Sequence, residues 1–118
     1  MSGPDLKVRT KAFALRIIHL VESLPKSRSA EVIGRQLLRS GTGVGANYRA
    51  ACRAKSRADF IMKMKIVEEE CDESMYWLEL LMESKILRQE LLINLQGEVN
   101  EILSVTVASI RTARSRRL

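Results

Sequence analysis

The chain has 118 residues, 46% of them hydrophobic, which suits one continuous core and a single domain over 1–118. Its formal charge of +6 suits polyanionic partners such as RNA, DNA or acidic lipid and carries no information about fold. No apolar run approaches the roughly 20 residues that span a bilayer, the start MSGPDLKVRTK has no apolar signal region, and Cys52 and Cys71 form no CxxC. A cytoplasmic protein without membrane partner, disulfide framework, metal or other cofactor is therefore expected, with both cysteines as small core residues.

Apolar residues recur at helical spacing along the whole chain, and no stretch alternates with the period of a strand. After a short disordered N-terminus, the first helix is predicted over about 5–24, with Leu6, Phe13, Ile17, Leu20 and Leu24 on one face, and Pro25 stops it. Ser29 is the expected N-cap of a second helix reaching about Ala54. Ser56 and Asp59 have the spacing of a capping box, with Asp in place of Glu or Gln, and open the third helix. Its stripe is Phe60, Met64, Val67, Cys71, Met75, Leu78 and Met82, and it ends near Lys85. A fourth helix over about 89–112 carries Leu92, Leu95, Val99, Ile102, Thr106 and Ile110, followed by a basic tail over about 111–118. Four helices on short turns predict an all-α, antiparallel up-down-up-down four-helix bundle. The alternative, a helical-repeat array, finds no internal repeat to support it.

The second helix contains Gly41, Gly43 and Gly45, each costing about 1 kcal/mol relative to alanine inside a helix. A phosphate-binding loop would need a following Lys and Ser or Thr after a strand, so close helix packing is the better reading. On a helical wheel Ile33, Leu37, Gly41, Val44, Tyr48 and Ala51 form the core face. Ser40, Gly43, Asn47, Ala50 and Ala54 form an adjacent small-residue stripe. The opposite side is a ridge containing Arg35, Arg39, Arg49, Arg53 and Arg57. With the terminal cluster Arg111, Arg114, Arg116 and Arg117, this ridge is the candidate nucleic-acid surface, because arginine forks contact phosphate oxygens bidentately. The alternative is an ordinary solvated face paired with the acidic third helix. With two Phe, two Tyr and one Trp, a multi-base stacking platform is not expected.

The third helix has a second apolar face, Met62, Ile66, Trp77 and Leu80, with Glu69 and Glu73 among them. It is a candidate oligomer interface, together with Gly43, Asn47 and Ala50, and it requires an arginine or the Asn47 amide to partner a buried Glu73. Alternatively these residues cover the edges of the chain's own core. Catalysis is not expected. Glu68, Glu69, Glu70, Asp72 and Glu73 point around the helix rather than to one site, and the single His19 precedes Glu22 instead of following it as in a Glu-x-x-His metal motif.

The stretch from Leu38 through Leu81 resembles the 23S ribosomal RNA intervening-sequence protein family. Asn47 matches the Asn of the family's second-helix motif, Ser56 and Phe60 match its Ser-x-x-x-Phe helix start, and Glu73 matches the first Glu of its Glu-Leu-Glu. The family's Ala-Glu-Gly after the Asn is replaced here by Arg49, Ala50 and Ala51. The resemblance implies an up-down bundle assembled into a homopentameric ring. A related accessory protein of diversity-generating retroelements binds nucleic acid and a reverse transcriptase. The expected function is thus a non-enzymatic homo-oligomer that binds RNA or DNA, and the alternative is a protein-interaction scaffold or accessory subunit.

Overall fold

The computed structural model describes residues 3–116, with side chains from Leu6 onward. Arg117 and the first two residues of the expected disordered N-terminus lie outside the described residues. Four α-helices follow one another: α1 Gly3–Glu22, α2 Arg28–Cys52, α3 Arg57–Glu83 and α4 Ile93–Ser115. α1 packs on α2, α2 on α3 and α3 on α4, and α4 returns to α1 in the sparsest of these junctions. The result is an all-α four-helix bundle shaped as a rod of 53 × 21 × 20 Å.

Helix ends follow local chemistry. α1 tightens in its last turn, where Ser23 and Leu24 donate to Leu20 and Val21 three residues back, and Pro25 then prevents continuation. The N-cap of α2 is Ser27, not Ser29: its hydroxyl accepts from the Ala30 N–H at 3.2 Å, so the helix starts earlier than predicted. α3 opens as expected. Ser56 Oγ accepts from the Asp59 N–H at 3.1 Å, while the Asp59 carboxylate accepts from the Lys55 N–H at 3.0 Å and from Lys63 Nζ at 2.8 Å. These bonds hold Asp59 below the usual carboxylate range, the Lys63 bond first. α3 ends at Glu83, and Lys85 adopts φ 63°, the left-handed conformation that glycine usually supplies after a helix. A single 3-10 turn at Gln89–Leu91 precedes α4, and α4 runs on to Ser115, so Arg111 and Arg114 stand on helix rather than in a frayed tail.

The core contains the predicted stripes. Phe13, Ile17, Leu37, Val44, Met64, Val67, Leu78, Leu92, Val99 and Ile102 are fully buried. Cys71 belongs to this core and burial pushes its thiol up to about 12, whereas Cys52 is exposed, against expectation, because it is the last residue of α2. The glycines of α2 set interhelical distance. A Cβ at Gly41 would lie 2.9 Å from Ile17 on α1, so the backbone of α2 is seated directly on that side chain. α1 is further clamped by Arg9, whose guanidinium donates to Glu98 at 3.1 and 2.9 Å and to Glu101 at 2.6 Å.

Candidate nucleic-acid interface

Along α2, one face of arginines meets two different neighbours. Arg35 approaches Glu31 at 3.8 Å. Arg39 reaches across to α3, to Glu73 in a short hydrogen bond and to Glu70 at 3.7 Å. Farther along, Arg49, Arg53 and Arg57 are exposed and make no ion pair among the described residues. The predicted ridge is therefore two surfaces: a segment paired with acid, Arg35 with Glu31 of its own helix and Arg39 with α3, and an open segment leading to the end of the bundle.

The up-down topology brings that open segment together with the terminal cluster. α2 ends, α3 begins and α4 ends at the same end of the rod, so Arg53, Arg57, Arg111, Arg114 and Arg116 converge there although they are far apart in sequence. Divided at the middle of each helix, residues 3–12, 41–70 and 104–116 build that half and carry twelve Lys and Arg against five Asp and Glu, three of them the run Glu68, Glu69 and Glu70 at its inner edge. The other half, residues 13–40 and 71–103, carries seven Lys and Arg against nine Asp and Glu. Arg111, Arg114 and Arg116 are exposed and make no ion pair among the described residues.

Two grooves open in the basic half. One, of about 490 Å³, runs between α1 and α2 over Gly45 and Ala46 and is flanked by Lys7, Lys11 and Arg49. The other, of about 1010 Å³, lies between the start of α3 and the end of α4, with Phe60 and Arg57 lining it from α3 and Val105 and Arg116 from the α4 side. Sequence reading missed both grooves and the two lysines. A signal for the second was present: Val105, Ser109 and Thr112 recur at steps of four and three, one position around α4 from its core stripe, and Arg116 continues the spacing at the helix end.

The predicted interface residues divide as well. The small-residue stripe of α2 is met by α3 of the same chain. Ser74 donates to the buried Ser40 hydroxyl at 2.9 Å, and a Cβ at Gly43 would lie 3.1 Å from the Glu70 carboxyl carbon. Asn47 donates to the Gly43 carbonyl at 2.8 Å, so the partner of Glu73 is Arg39 and not this amide. Ala50 is half-buried. On α3, Met62 remains 66% exposed and Ile66 is also exposed, while Leu80 is half-buried and Trp77 packs against the core with its indole N–H buried and without a hydrogen-bond partner among the described residues. Tyr76 stands against Trp77 edge to face, ring centroids 5.1 Å apart. Val8 and Leu15 on α1 are exposed too. Burial raises Glu70 above the usual carboxylate range, with Arg39 opposing and Glu73 and Glu69 reinforcing the shift. His19 is exposed, its Nδ1 3.3 Å from the Leu15 carbonyl, and no cluster of three His, Cys, Asp or Glu that could hold a metal occurs among the described residues.

The chain matches the model of the 23S rRNA-intervening sequence protein over residues 5–108. Among solved structures it is similar to that of a protein of unknown function from the S23 ribosomal protein family of Bacteroides thetaiotaomicron. The two are 37% identical, the match covers 94% of this chain and 99% of that one, and the TM-score is 0.88. No curated protein matches. No helix among the described residues is long and apolar enough to cross a membrane. The family match takes in Asn47 on α2, the Ser56–Phe60 opening of α3 and the Arg39-paired Glu73, and with it the chain belongs to the 23S rRNA-intervening sequence protein family.

Proposed function

We propose that this protein is a cytoplasmic, non-enzymatic homo-oligomer that binds nucleic acid through the basic end of its bundle. The observation that carries this reading is the segregation of charge along the rod, twelve bases against five acids in one half and seven against nine in the other, with the arginines of the basic end unpaired among the described residues. Unpaired arginines on three helix ends form a surface on which phosphates replace counterions, and the acidic half keeps the polyanion from lying along the whole rod. The test is fluorescence anisotropy with a structured RNA and a duplex DNA across a salt series. Binding that weakens steeply with salt is expected. Undetectable binding at low salt would overturn the reading.

Self-association is supported by the exposed Met62, Ile66, Val8 and Leu15, and the ring size implied by family resemblance is five. Met62→Glu is the informative variant, because Trp77 also packs against the chain's own core. Smaller species by light scattering are expected, and an unchanged mass removes that face from the interface.

A second reading, a scaffold for a protein such as a reverse transcriptase, is favoured by the same apolar residues. It predicts one co-purifying protein, no bound nucleic acid, and partner binding unchanged when the α4 arginines become serine.

A further inference from the structure

We infer that the groove between the start of α3 and the end of α4 receives an unpaired nucleobase, so that the protein selects bulged, looped or single-stranded nucleic acid over uniform duplex. The inference rests on the proposed nucleic-acid binding and names the substrate feature that the same end would read.

Three observations converge on the groove. First, its walls suit a base: Phe60 offers a flat aromatic ring and Val105 apolar surface, Ala108 is small, and the volume of about 1010 Å³ exceeds what one base needs. Phe60 is half-buried and packs on the core from behind, so the lining is fixed rather than adaptable.

Second, the hydroxyls that line it are uncommitted. Along α4, Ser104, Thr106 and Ser115 bond back to their own helix, to the Asn100, Ile102 and Thr112 carbonyls. Ser109 and Thr112, which face the groove, make no side-chain hydrogen bond among the described residues. A base has apolar faces and polar edges, and this lining presents both kinds of surface at once.

Third, Arg57 and Arg116 stand at the groove, on opposite helices, where the phosphates on either side of an inserted nucleotide would lie. Arg57 is the first residue of α3, a position where the helix dipole disfavours a cation. Asp59 in the same turn is committed to the Lys55 N–H and to Lys63, so an anion for Arg57 itself would be supplied by the ligand. A paired base cannot reach the groove, because its faces are stacked and its edges are bonded, whereas an unpaired base can swing out. One aromatic wall in a groove serves one base, which separates this site from the multi-aromatic platforms that the composition excludes.

The experiment uses the full chain and two labelled RNA hairpins of equal phosphate number, one fully paired and one with an unpaired bulge. The bulged hairpin is expected to bind at least tenfold more tightly. Ala108→Leu, an exposed position that fills the groove without touching charge, and Phe60→Ala should each abolish the preference. Affinity for the paired hairpin and its salt dependence should stay unchanged. Ala108→Leu keeps the test decisive should Phe60→Ala fail to fold. Equal affinity for the two hairpins, or a preference that survives Ala108→Leu, overturns the groove assignment while leaving nucleic-acid binding intact. Absence of binding to either hairpin overturns the proposed function, and the groove assignment with it.

Discussion

Arg39 lies on α2 and Arg53 caps its C-terminus, both on the same predicted ridge, yet only Arg39 is paired with acid. Opposite Arg39 stands the acidic second half of α3, with Glu70 and Glu73 within reach. At the level of Arg53, α3 is only beginning, and its first turns carry Arg57, Lys63 and Lys65 with the single acid Asp59, which is taken up by Lys63. A charge run on a helix is thus neutralised or left open by what the neighbouring helix presents at that height. The antiparallel arrangement makes the answer change halfway along the rod. One end becomes a structural surface and the other an available one.

The comparison is broken most directly by charge removal at each end. Replacing Arg111, Arg114 and Arg116 with serine should weaken nucleic-acid binding at least tenfold and flatten its salt dependence, since each lost phosphate contact lowers the slope by about one. Replacing Arg35 and Arg39 with serine should change affinity less than about twofold while lowering stability, because a partly buried carboxylate loses its partner. Anisotropy over a salt series and urea denaturation measure both effects. Equal losses of affinity from the two replacements would erase the distinction between the ends.

Helix caps sharpen the comparison on the stability side. Ser56→Ala should cost about 1 kcal/mol in urea denaturation by leaving the Asp59 N–H without its acceptor at the basic end. At the acidic end, Lys85→Gly should stabilise by about 1 kcal/mol, because Lys85 holds a left-handed conformation that glycine adopts without penalty. Neither substitution removes a group from the α3–α4 groove, so hairpin preference should persist in both.

The smallest effect is a pH dependence confined to the neutralised seam. Burial raises Glu70, so the native chain binds this proton more tightly than the unfolded chain does. Its contribution to stability is therefore greatest in acid and declines as pH rises from the ordinary carboxylate value of 4.5 through the raised one. Glu70→Gln should remove that decline, giving its relative gain at neutral pH and none in acid. Urea midpoints at a series of pH values check it.

Much of the architecture was legible in the residues themselves. The α3 start was readable because Ser56 and Asp59 act within one turn, and the core stripes because helical periodicity fixes which residues share a face. The N-cap of α2 was misplaced by two residues because Ser27 and Ser29 both satisfy the local rule, and only the Ala30 hydrogen bond distinguishes them. Cys52 was misread because apolar character suggested burial at a position where the helix ends in solvent.

Four amphipathic helices and their order follow from interactions within a few residues, and so are written in the local pattern of the chain. Tertiary structure alone decided which arginines are neutralised, that Gly43 lies over Glu70, and that the groove between Phe60 and Val105 exists. Those outcomes join residues as distant as Arg57 and Arg116, and their relation depends on the heights at which antiparallel helices meet. Local chemistry sets which face of a helix is basic, and packing sets whether a neighbouring chain segment or another molecule answers that charge.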